Sequence, residues 1–476
     1  MATRSPVLEQ SQTLGQLAQA VGAALSTGID LPVTGVQEDS RFCENGDLFV
    51  AIRGNDDDGL RYARDAVERG AVAIASERDP QAGVPWLRVA DSRGAAGILA
   101  DCVYGDPSRQ LALIGITGTN GKTTTAHLAA QLIPGPVGFI GTTGVEWPGR
   151  VDAPIPAINT TPGPTALRRH LRAMVDAGCV ACAMEVSSHA LAQRRTDGLK
   201  FAAAVYTNLS GDHLDYHGSM EAYAQAKARL FTGLDEDSVA ILNAVDSACQ
   251  KLETRARVAW FRPERVRVSG MGTHFEWRDR EAFLPFVGRH NSENAAAALE
   301  AACAAGADPD EALAMLASAL PARGRLEVVA HEPCLVLVDY AHTDDALLQA
   351  IRAVREVTPG RVIVVFGCGG DRDKTKRPRM GSVAAQWADR VIVTNDNPRT
   401  EDAARIAGEV LAGTGNRGAA VVLDRRAAIR AALATAGPGD AVLIAGKGHE
   451  NYQIIGTKRV PFDDVGVARE ELESLA

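Results

Sequence analysis

The feature that most constrains the fold is the stretch "LALIGITGTNGKTTTAHLAA", which runs from Leu111 to Ala130. An apolar run typical of a buried strand leads into a glycine-rich corner, and an alanine-rich segment typical of a helix follows it. At such a corner, backbone N–H groups converge on phosphate oxygens, while a lysine and a hydroxyl reach the phosphates and magnesium. The stretch therefore predicts a phosphate-binding loop in an α/β fold.

The corner departs from the general P-loop pattern at one position. Ile116 stands where that pattern has its first glycine. The glycines, the cation and the hydroxyl that the chemistry requires are supplied by Gly118, Gly121, Lys122 and Thr123. Because the strand, the loop, the Lys-Thr pair and the helix occur together, we favour phosphate binding over a chance glycine-rich turn.

Charge and hydropathy exclude several classes of protein. The net charge of −9 argues against general nucleic-acid binding, which needs a basic surface. No apolar run is long enough to span a membrane, and the N-terminal segment lacks the apolar block of a signal peptide, so we expect a cytoplasmic protein. The eight cysteines suit buried thiols in a reducing compartment, and we interpret the Cys179 and Cys182 pair as core residues rather than a redox or zinc motif.

The rhythm of apolar runs predicts an α/β chain of three domains. A small N-terminal α/β domain is expected at 1–105, and a central P-loop mononucleotide-binding domain with a parallel sheet at 106–325. The third, 326–476, alternates β-branched runs with helix-length segments, which predicts a doubly wound, Rossmann-like parallel sheet. Ligands of such a sheet bind beyond the carboxyl ends of its strands, where "DYAH", "GCGGDRDK", "NDNPRT" and "GKGHE" follow the apolar runs.

The string "GTNGKTTT" resembles the hallmark of the Mur ligase family, the ATP-dependent amide-forming enzymes of peptidoglycan precursor assembly. Further strings follow in that family's order, among them "NTTPG", "MEVSSHAL", "YTNLSGDHLDYHGSMEAYAQAK", "GRHNSENAAAAL", "DYAHT", "TNDNPRTE" and "GKGHENYQI". The resemblance covers nearly the whole chain. It implies an ADP-forming ligase that uses ATP and Mg²⁺ and passes through an acyl phosphate, with small-molecule substrates and a monomeric state.

The resemblance also implies which residues meet ATP and metal. The ATP contacts would be Gly118, Thr119, Asn120, Gly121, Lys122, Thr123, Thr124, Asn291, Arg325 and Asp339. The metal ligands would be Thr123, Glu185, His213 and Lys227, the last as a carbamate, and with Lys122 the same three residues Glu185, His213 and Lys227 form the catalytic set. Taken alone, each has a plainer interpretation: a surface acid at a strand end, a structural histidine and a solvated lysine.

The acceptor implied by the resemblance is UDP-MurNAc-L-Ala-D-Glu. Its binding residues would be Glu38, Ser40, Asn55, Asp56, Asp57, Asn159, Thr160, Thr161, Ser187, Gln193 and Arg195. Hydroxyls and an arginine suit a carboxylate and a peptide, although each hydroxyl alone could equally be a turn residue or a helix cap.

The string "DNPR" resembles the signature of the diaminopimelate-adding members of the family. The residues implied for meso-diaminopimelate are Arg372, Asp396, Asn397, Pro398, Arg399, Gly446 and Glu450. A guanidinium can bind the distal carboxylate of that amino acid through two parallel hydrogen bonds, and Glu450 can accept from an ammonium group.

Three other functions stay open at this stage. Two are close relatives: the L-lysine-adding ligase, which "DNPR" disfavours, and a folylpolyglutamate synthase, which the complete N-terminal segment disfavours. The third is a P-loop switch ATPase, which would hydrolyse ATP without an acceptor or an amine. Whether phosphate release requires both the muramoyl dipeptide and an amine therefore separates the ligase from the switch.

Overall fold

The computed structural model describes residues 11–54, 57–149, 155 and 159–475. Asn55 and Asp56, two of the predicted acceptor-binding residues, lie outside the described residues. The chain forms two compact units. Unit 1 contains the described residues up to Trp260 together with Glu300–Asp308, and unit 2 contains Phe261–Leu299 together with the described residues from Pro309 onward.

The N-terminal part of unit 1 is a small parallel sheet with helices on both faces. Its elements are β1 (Gln12–Thr13), α1 (Leu14–Ala20), β2 (Ala24–Leu25), β3 (Pro32–Val33), β4 (Gly35–Gln37), β5 (Asp47–Val50), α2 (Ala63–Glu68), β6 (Ala73–Ser76), β7 (Trp86–Arg88) and α3 (Ser92–Tyr104). The sheet order is β2-β7-β6-β5-β4, and only β2 pairs antiparallel. Successive residues of β5 face opposite sides, so Leu48 and Val50 pack with α1 and α3 while Phe49 packs with α2.

The larger part of unit 1 is built around the predicted phosphate corner. Its elements are β8 (Ala112–Thr117), α4 (Lys122–Leu132), β9 (Val137–Gly141), β10 (Gly144–Glu146), α5 (Pro164–Asp176), β11 (Ala181–Glu185), α6 (Ser188–Ala192), β12 (Ala203–Tyr206), α7 (Leu214–His217), α8 (Met220–Thr232), β13 (Val239–Asn243), α9 (Ser247–Gln250) and β14 (Arg257–Phe261). The strands form one sheet in the order β10-β9-β11-β8-β12-β13-β14.

The phosphate corner lies at the centre of this sheet. Strand β8 pairs in parallel with β11 on one side and β12 on the other, which brings the carboxyl ends of three strands to one edge. Cys182 and Met184 of β11 pack on α5 and α8, and α4 packs against β9 and β11. Cys179 and Cys182 are both buried in this core, as predicted.

Unit 2 contains a three-stranded antiparallel sheet and the predicted doubly wound domain. The elements are β15 (Glu264–Ser269), β16 (Gly272–Trp277), β17 (Arg280–Leu284), α10 (Arg289–Ala304), α11 (Pro309–Leu316), β18 (Glu327–Ala330), β19 (Leu335–Asp339), α12 (Asp344–Val357), β20 (Val362–Phe366), α13 (Lys376–Trp387), β21 (Arg390–Val393), α14 (Ala403–Leu411), β22 (Ala420–Val421), α15 (Arg425–Leu433), β23 (Ala441–Ala445), β24 (Tyr452–Ile455), β25 (Lys458–Pro461) and α16 (Asp464–Leu475).

The six-stranded sheet of unit 2 is buried on both faces. Its order is β18-β19-β23-β20-β21-β22, parallel except for β18 at one edge. Leu337 and Val364 face one core with α12, α13 and α14, whereas Val336 and Ile363 face a second core with α15 and α16. This alternation explains why the strands read as continuous apolar runs, and it confirms the predicted doubly wound class.

Each of the three parallel sheets falls within one of the three predicted segments, whose boundaries stay predictions. Within the part of the chain that the structure describes, no helix combines the length and the apolar character needed to cross a lipid bilayer.

Candidate active site

The phosphate loop connects β8 to α4 through two glycines with positive φ. Gly118 has φ 145° and Gly121 has φ 83° immediately before the first residue of α4. A Cβ on Gly118 would overlap the hydroxyl of Thr207, so only glycine fits there. The Nζ of Lys122 donates to the carbonyls of Gly118 at 3.1 Å and Thr119 at 2.7 Å, which keeps the ammonium at the loop.

The end of β12 supports this loop from the side. Thr207 Oγ1 donates to the carbonyl of Asn120 at 2.6 Å. Asn208 accepts from the Asn120 N–H at 3.0 Å and donates back to its carbonyl at 3.2 Å. Thr207 and Asn208 belong to the "YTNLS" string, but no role was predicted for them from the sequence. Their position after the strand next to β8 was the available signal, because neighbouring parallel strands end at the same edge.

Glu185 ends β11 directly beside the phosphate loop and is 1% exposed. Its Oε1 accepts from Thr123 Oγ1 at 2.9 Å and from the Thr142 N–H at 2.8 Å. The interpretation of Glu185 as a surface acid is therefore wrong. Thr124 is also buried, in the first turn of α4. A carboxylate and a threonine hydroxyl in contact are oxygen donors of the kind that Mg²⁺ prefers beside phosphates.

Lys227 lies on α8 and is buried, with 1% of its surface exposed. Its Nζ donates to the carbonyl of Gly118 at 2.7 Å and lies 4.5 Å from the centre of the Tyr223 ring. Burial, together with the nearby charge of Lys122, lowers the pKa of Lys227 well below its ordinary value. This shift makes the neutral amine more accessible than in a solvated lysine, and only a neutral amine can add CO₂ to form a carbamate.

His213 begins the turn before α7 in a left-handed conformation, with φ 54°. Its Nε2 lies 3.3 Å from Asp212 Oδ2, and its ring meets His189 edge to face at 4.8 Å. Burial lowers the pKa of His213, although Asp212 opposes the shift, so a neutral imidazole is favoured. A neutral imidazole has a lone pair to offer a metal ion.

The described residues contain no group of three or more His, Cys, Asp or Glu side chains arranged to hold a metal ion. Of the predicted metal ligands, Thr123 and Glu185 are in direct contact, and Lys227 contacts the carbonyl of Gly118 in the phosphate loop.

A second region of unit 1 is a cavity of about 980 Å³. The predicted acceptor residues that line it are Glu38, Ser40, Asp57, Asn159, Gln193 and Arg195. Arg93 and Arg169 also line it and were missed, because isolated arginines carry no local sequence signal. The cavity has the size of a ligand site, and these arginines supply the positive charge that an anionic ligand needs.

The remaining acceptor residues that the structure describes are Thr160, Thr161 and Ser187, which are connected to Glu185 beside the phosphate loop by hydrogen bonds. Thr161 Oγ1 donates to the Glu185 carbonyl at 2.9 Å and accepts from the Ser187 N–H at 3.0 Å. Arg195 donates to the Thr161 carbonyl at 2.7 Å and to Gln193 Oε1 at 2.7 Å. The hydroxyl of Ser187 caps α6, so the plain interpretation as a helix cap holds for that residue.

Thr160 accepts a 3.3 Å hydrogen bond from the hydroxyl of Thr142. The N–H of Thr142 donates to Glu185, so Thr160 is connected through Thr142 to the glutamate beside the phosphate loop. Glu38 differs from its neighbours in the cavity. Its buried Oε2 has no hydrogen-bond partner among the described residues. Burial raises the pKa of Glu38 to about 7, against the opposing charge of Arg195.

In unit 2, Arg325 and Asp339 lie at the carboxyl end of β19. Asp339 accepts from the N–H groups of Leu326 and Ala341, both at 2.8 Å, and burial raises its pKa. The guanidinium of Arg325 stacks 4.9 Å from the centre of the Tyr340 ring. Asn291 is buried in the first turn of α10, where its side chain donates to the Val287 carbonyl.

The "DNPR" motif follows β21 and is fixed by two neighbouring segments. Arg399 exchanges backbone hydrogen bonds with the β24–β25 hairpin, through Ile454 at 3.0 Å and Gly456 at 2.8 Å. Its Nη1 donates to the Gly370 carbonyl at 2.8 Å. A Cβ on Gly370 would overlap the Pro398 carbonyl, so glycine permits this close approach. Arg372, on the same glycine-rich loop, is exposed.

Glu450, Asp396, Asn397 and Gly446 converge at the ends of β21 and β23. Asn397 Nδ2 donates to Glu450 Oε2 at 2.8 Å, and Gly446 passes next to the Asp396 carboxylate. Lys447 of the "GKGHE" motif is fully buried next to these groups, and no role was predicted for it from the sequence. The predicted amino-acid residues of the two motifs are therefore brought together in the structure, at the edge where a doubly wound sheet binds ligands.

The fold and the phosphate loop together define a nucleotide-binding α/β enzyme. Three family profiles match the chain: the Mur ligase family catalytic domain at residues 32–104, the Mur ligase middle domain at 116–302 and the Mur ligase glutamate ligase domain at 324–448.

Curated relatives match over almost the full length. A UDP-N-acetylmuramoyl-L-alanyl-D-glutamate–2,6-diaminopimelate ligase of Gloeobacter violaceus is 43% identical over 93% of this chain and 94% of its own. The ligase of the same name from Geobacter metallireducens is 42% identical over 97% of this chain and 99% of its own. A solved structure of a ligase with this name is 33% identical, with TM-score 0.67 over 98% of this chain and 99% of that one.

The chain belongs to the Mur ligase family and is an ATP-dependent ligase. A Mycobacterium tuberculosis folylpolyglutamate synthase complexed with ADP shares the fold, with 22% identity and TM-score 0.62 over 75% of this chain and 91% of that one.

Proposed function

We propose that this protein joins meso-2,6-diaminopimelate to the D-Glu carboxyl group of UDP-N-acetylmuramoyl-L-alanyl-D-glutamate, with conversion of ATP to ADP and phosphate. The names of its full-length relatives support this substrate pair. The observation that carries the choice of amino acid is Arg399, which is held by its backbone and by the hydrogen bond from its Nη1 to the Gly370 carbonyl. It belongs to the same motif as Asn397, whose Nδ2 donates to Glu450. A cation and a carboxylate in the same region suit an amino acid whose distal end carries both a carboxylate and an ammonium group. L-Lysine has no distal carboxylate.

The first step activates the D-Glu carboxylate. Its oxygen attacks the γ-phosphorus of ATP, the bond to the β-phosphate oxygen breaks, and ADP leaves an acyl phosphate behind. The backbone N–H groups of the phosphate loop and Lys122 would hold the phosphates, and Arg325 would be a further contact to ATP. In the acceptor cavity, Arg195 and the hydroxyls of Thr161 and Ser187 would orient the dipeptide.

Mg²⁺ would be held by Thr123, Glu185, His213 and the carbamate of Lys227, and when bound it neutralises charge on the transferring phosphate. Carbamylation converts Lys227 from a cation into a carboxylate. The buried amine next to Lys122 supports this modification, because its charged form is disfavoured there. Glu185 and Thr123 would then need only to exchange their mutual hydrogen bond for the ion.

The second step forms the amide bond. The amine of diaminopimelate attacks the acyl carbon through its lone pair, phosphate leaves with the C–O bond electrons, and the nitrogen loses its extra proton. Arg399 would hold the distal carboxylate, with Arg372 and Gly446 contributing further contacts, and Glu450 would accept from the ammonium that does not react. We place this reaction in the cytoplasm, where ATP is available.

The test is phosphate release by the purified protein with UDP-N-acetylmuramoyl-L-alanyl-D-glutamate and, in turn, meso-diaminopimelate, L-lysine and L-ornithine. We expect release only with acceptor and diaminopimelate together. Arg399→Ala should lower kcat/KM for diaminopimelate by about 100-fold or more, because the distal carboxylate loses its partner. Arg405→Ala, a matched exposed arginine on α14, should leave it unchanged.

Two results would refute the proposal. Equal turnover of L-lysine and diaminopimelate by the wild-type protein would favour a lysine-adding ligase or an unselective one. ADP formation without any acceptor would favour a P-loop ATPase that acts as a switch.

A further inference from the structure

Lys447 is a fully buried lysine that the proposed mechanism does not use. It follows β23 in the "GKGHE" motif and has 0% of its surface exposed. A buried ammonium is costly unless its donors are satisfied. Its Nζ lies 3.0 Å from Glu450 Oε2, 3.2 Å from Asn397 Oδ1 and 3.7 Å from Asp396 Oδ1. Lys447 therefore connects the two motifs that form the amino-acid region of unit 2.

These contacts fix the orientation of the Asn397 amide. An ammonium only donates, so the group that faces Lys447 must be the oxygen of that amide. The same oxygen accepts from the Ile454 N–H at 2.9 Å. The Asn397 nitrogen is consequently turned toward Glu450, to which it donates at 2.8 Å. With Lys447 removed, the amide would lose one of the two donors that hold it in this orientation.

The contacts also set the charge at this place. Asp396 and Glu450 are two carboxylates that share the neighbourhood of one ammonium, so the three groups together carry one net negative charge. This net negative charge would favour the binding of one further cation. Without Lys447, the two carboxylates would lose the ammonium that lies closest to both of them, and their mutual repulsion would disfavour the present position of the Glu450 carboxylate.

We propose that Lys447 is a positioning residue that presents Glu450 to the non-reacting ammonium of the amino-acid substrate. Lys447 and Asn397 both bind Oε2 of Glu450, which leaves Oε1 to accept from the substrate. Only one nitrogen of a diamino acid becomes neutral and attacks; the other stays charged and needs an anionic partner. This inference rests on the proposed function and adds a residue that selects for the distal amino group.

The test compares two amino acids that differ only in that group. (S)-2-Aminopimelate has both carboxylates of diaminopimelate but lacks the distal amino group. The quantity to measure is the ratio of kcat/KM for meso-diaminopimelate to kcat/KM for (S)-2-aminopimelate. Lys447→Met should lower this ratio by about tenfold or more, because the loss falls on the substrate that uses Glu450. The KM values for ATP and for the acceptor nucleotide should stay unchanged.

Three further variants complete the design. Lys447→Gln keeps a hydrogen-bond donor group but loses the positive charge, and it should also lower this ratio. Glu450→Gln keeps the Lys447 side chain in place and should also lower it, so the test does not depend on the folding of a Lys447 variant. Lys458→Met, at an exposed lysine of β25, is the matched control and should leave the ratio unchanged.

An equal loss for both amino acids in the Lys447 variants would show a purely structural role and overturn the inference. So would an unchanged ratio in Lys447→Gln or in Glu450→Gln. Failure of the proposed function gives a different result, since the wild-type protein itself would then release no phosphate with diaminopimelate.

Discussion

Glu38 should make the stability of unit 1 depend on pH, and Glu38→Gln should remove that dependence. The carboxyl group lines the acceptor cavity, and its Oε2 is buried without a hydrogen-bond partner among the described residues. Burial raises the pKa of Glu38 from 4.5 to about 7, because the neutral form is easier to remove from water than the carboxylate. Glutamine has nearly the shape of the protonated acid and does not titrate.

The sign follows from where the proton is bound. Below pH 4.5 both the folded and the unfolded chain hold the Glu38 proton, so wild type and variant should be equally stable. Between pH 4.5 and about 7 the unfolded chain has lost the proton and the folded chain keeps it, so wild-type stability falls as pH rises. At about 1.4 kcal/mol per pH unit, this interval of about 2.5 units gives an upper limit of about 3.5 kcal/mol.

The assay is the free energy of unfolding from urea titrations of both proteins at intervals from pH 4.5 to pH 8.5. We expect Glu38→Gln to become more stable than the wild type as pH rises, by up to about 3.5 kcal/mol above pH 7. Glu68→Gln, at an exposed glutamate that ends α2, is the matched control and should give a difference that does not vary with pH.

A constant difference between Glu38→Gln and wild type across this range would refute the reasoning, because it would mean that the Glu38 carboxyl ionises alike in the folded and unfolded chains. A difference of the opposite sign, with the wild type gaining stability toward alkaline pH, would show instead that Arg195 stabilises a Glu38 carboxylate despite its burial.

Three further predictions concern the other parts of the site. Lys227→Met should lower phosphate release by about 100-fold or more and abolish any stimulation by added bicarbonate, since the variant lacks the amine that adds CO₂ and whose pKa burial lowers in the wild type. Glu185→Gln should lower kcat by about 100-fold, while the midpoint of thermal unfolding stays close to wild type because an amide oxygen still accepts from the Thr142 N–H. Gly370→Ala should raise the KM for diaminopimelate without changing the KM for ATP, because the new Cβ displaces Pro398 within "DNPR".

Local patterns predicted the repetitive part of the fold. Apolar runs such as "LALIGIT" and "RVIVVFG" became the central strands β8 and β20, because a strand covered on both faces must be apolar throughout. The hairpin β24–β25 was not predicted. Its residues 455–461 are mostly exposed, so they carry no apolar periodicity, and yet this hairpin holds the backbone of Arg399.

The chemistry of the site was predictable only to the level of residue types. The family motifs selected Lys227 and Glu450, but a lysine in mid-helix has the same local sequence whether it is solvated or buried. Tertiary packing placed its Nζ 2.7 Å from the Gly118 carbonyl, and that burial lowers its pKa. Lys447 is similar, since nothing adjacent in sequence indicates that it meets Asn397, fifty residues earlier in the chain.

The sequence by itself therefore determined the phosphate corner and the parallel sheets, because these depend on backbone conformation and on apolar periodicity over a few neighbouring residues. Only the tertiary structure decided which ionisable groups lose their water and which partners they meet. Desolvation and charge pairing act through space over a few ångströms, and the groups that are so close, such as Gly118 and Lys227 or Asn397 and Lys447, come from distant parts of the chain.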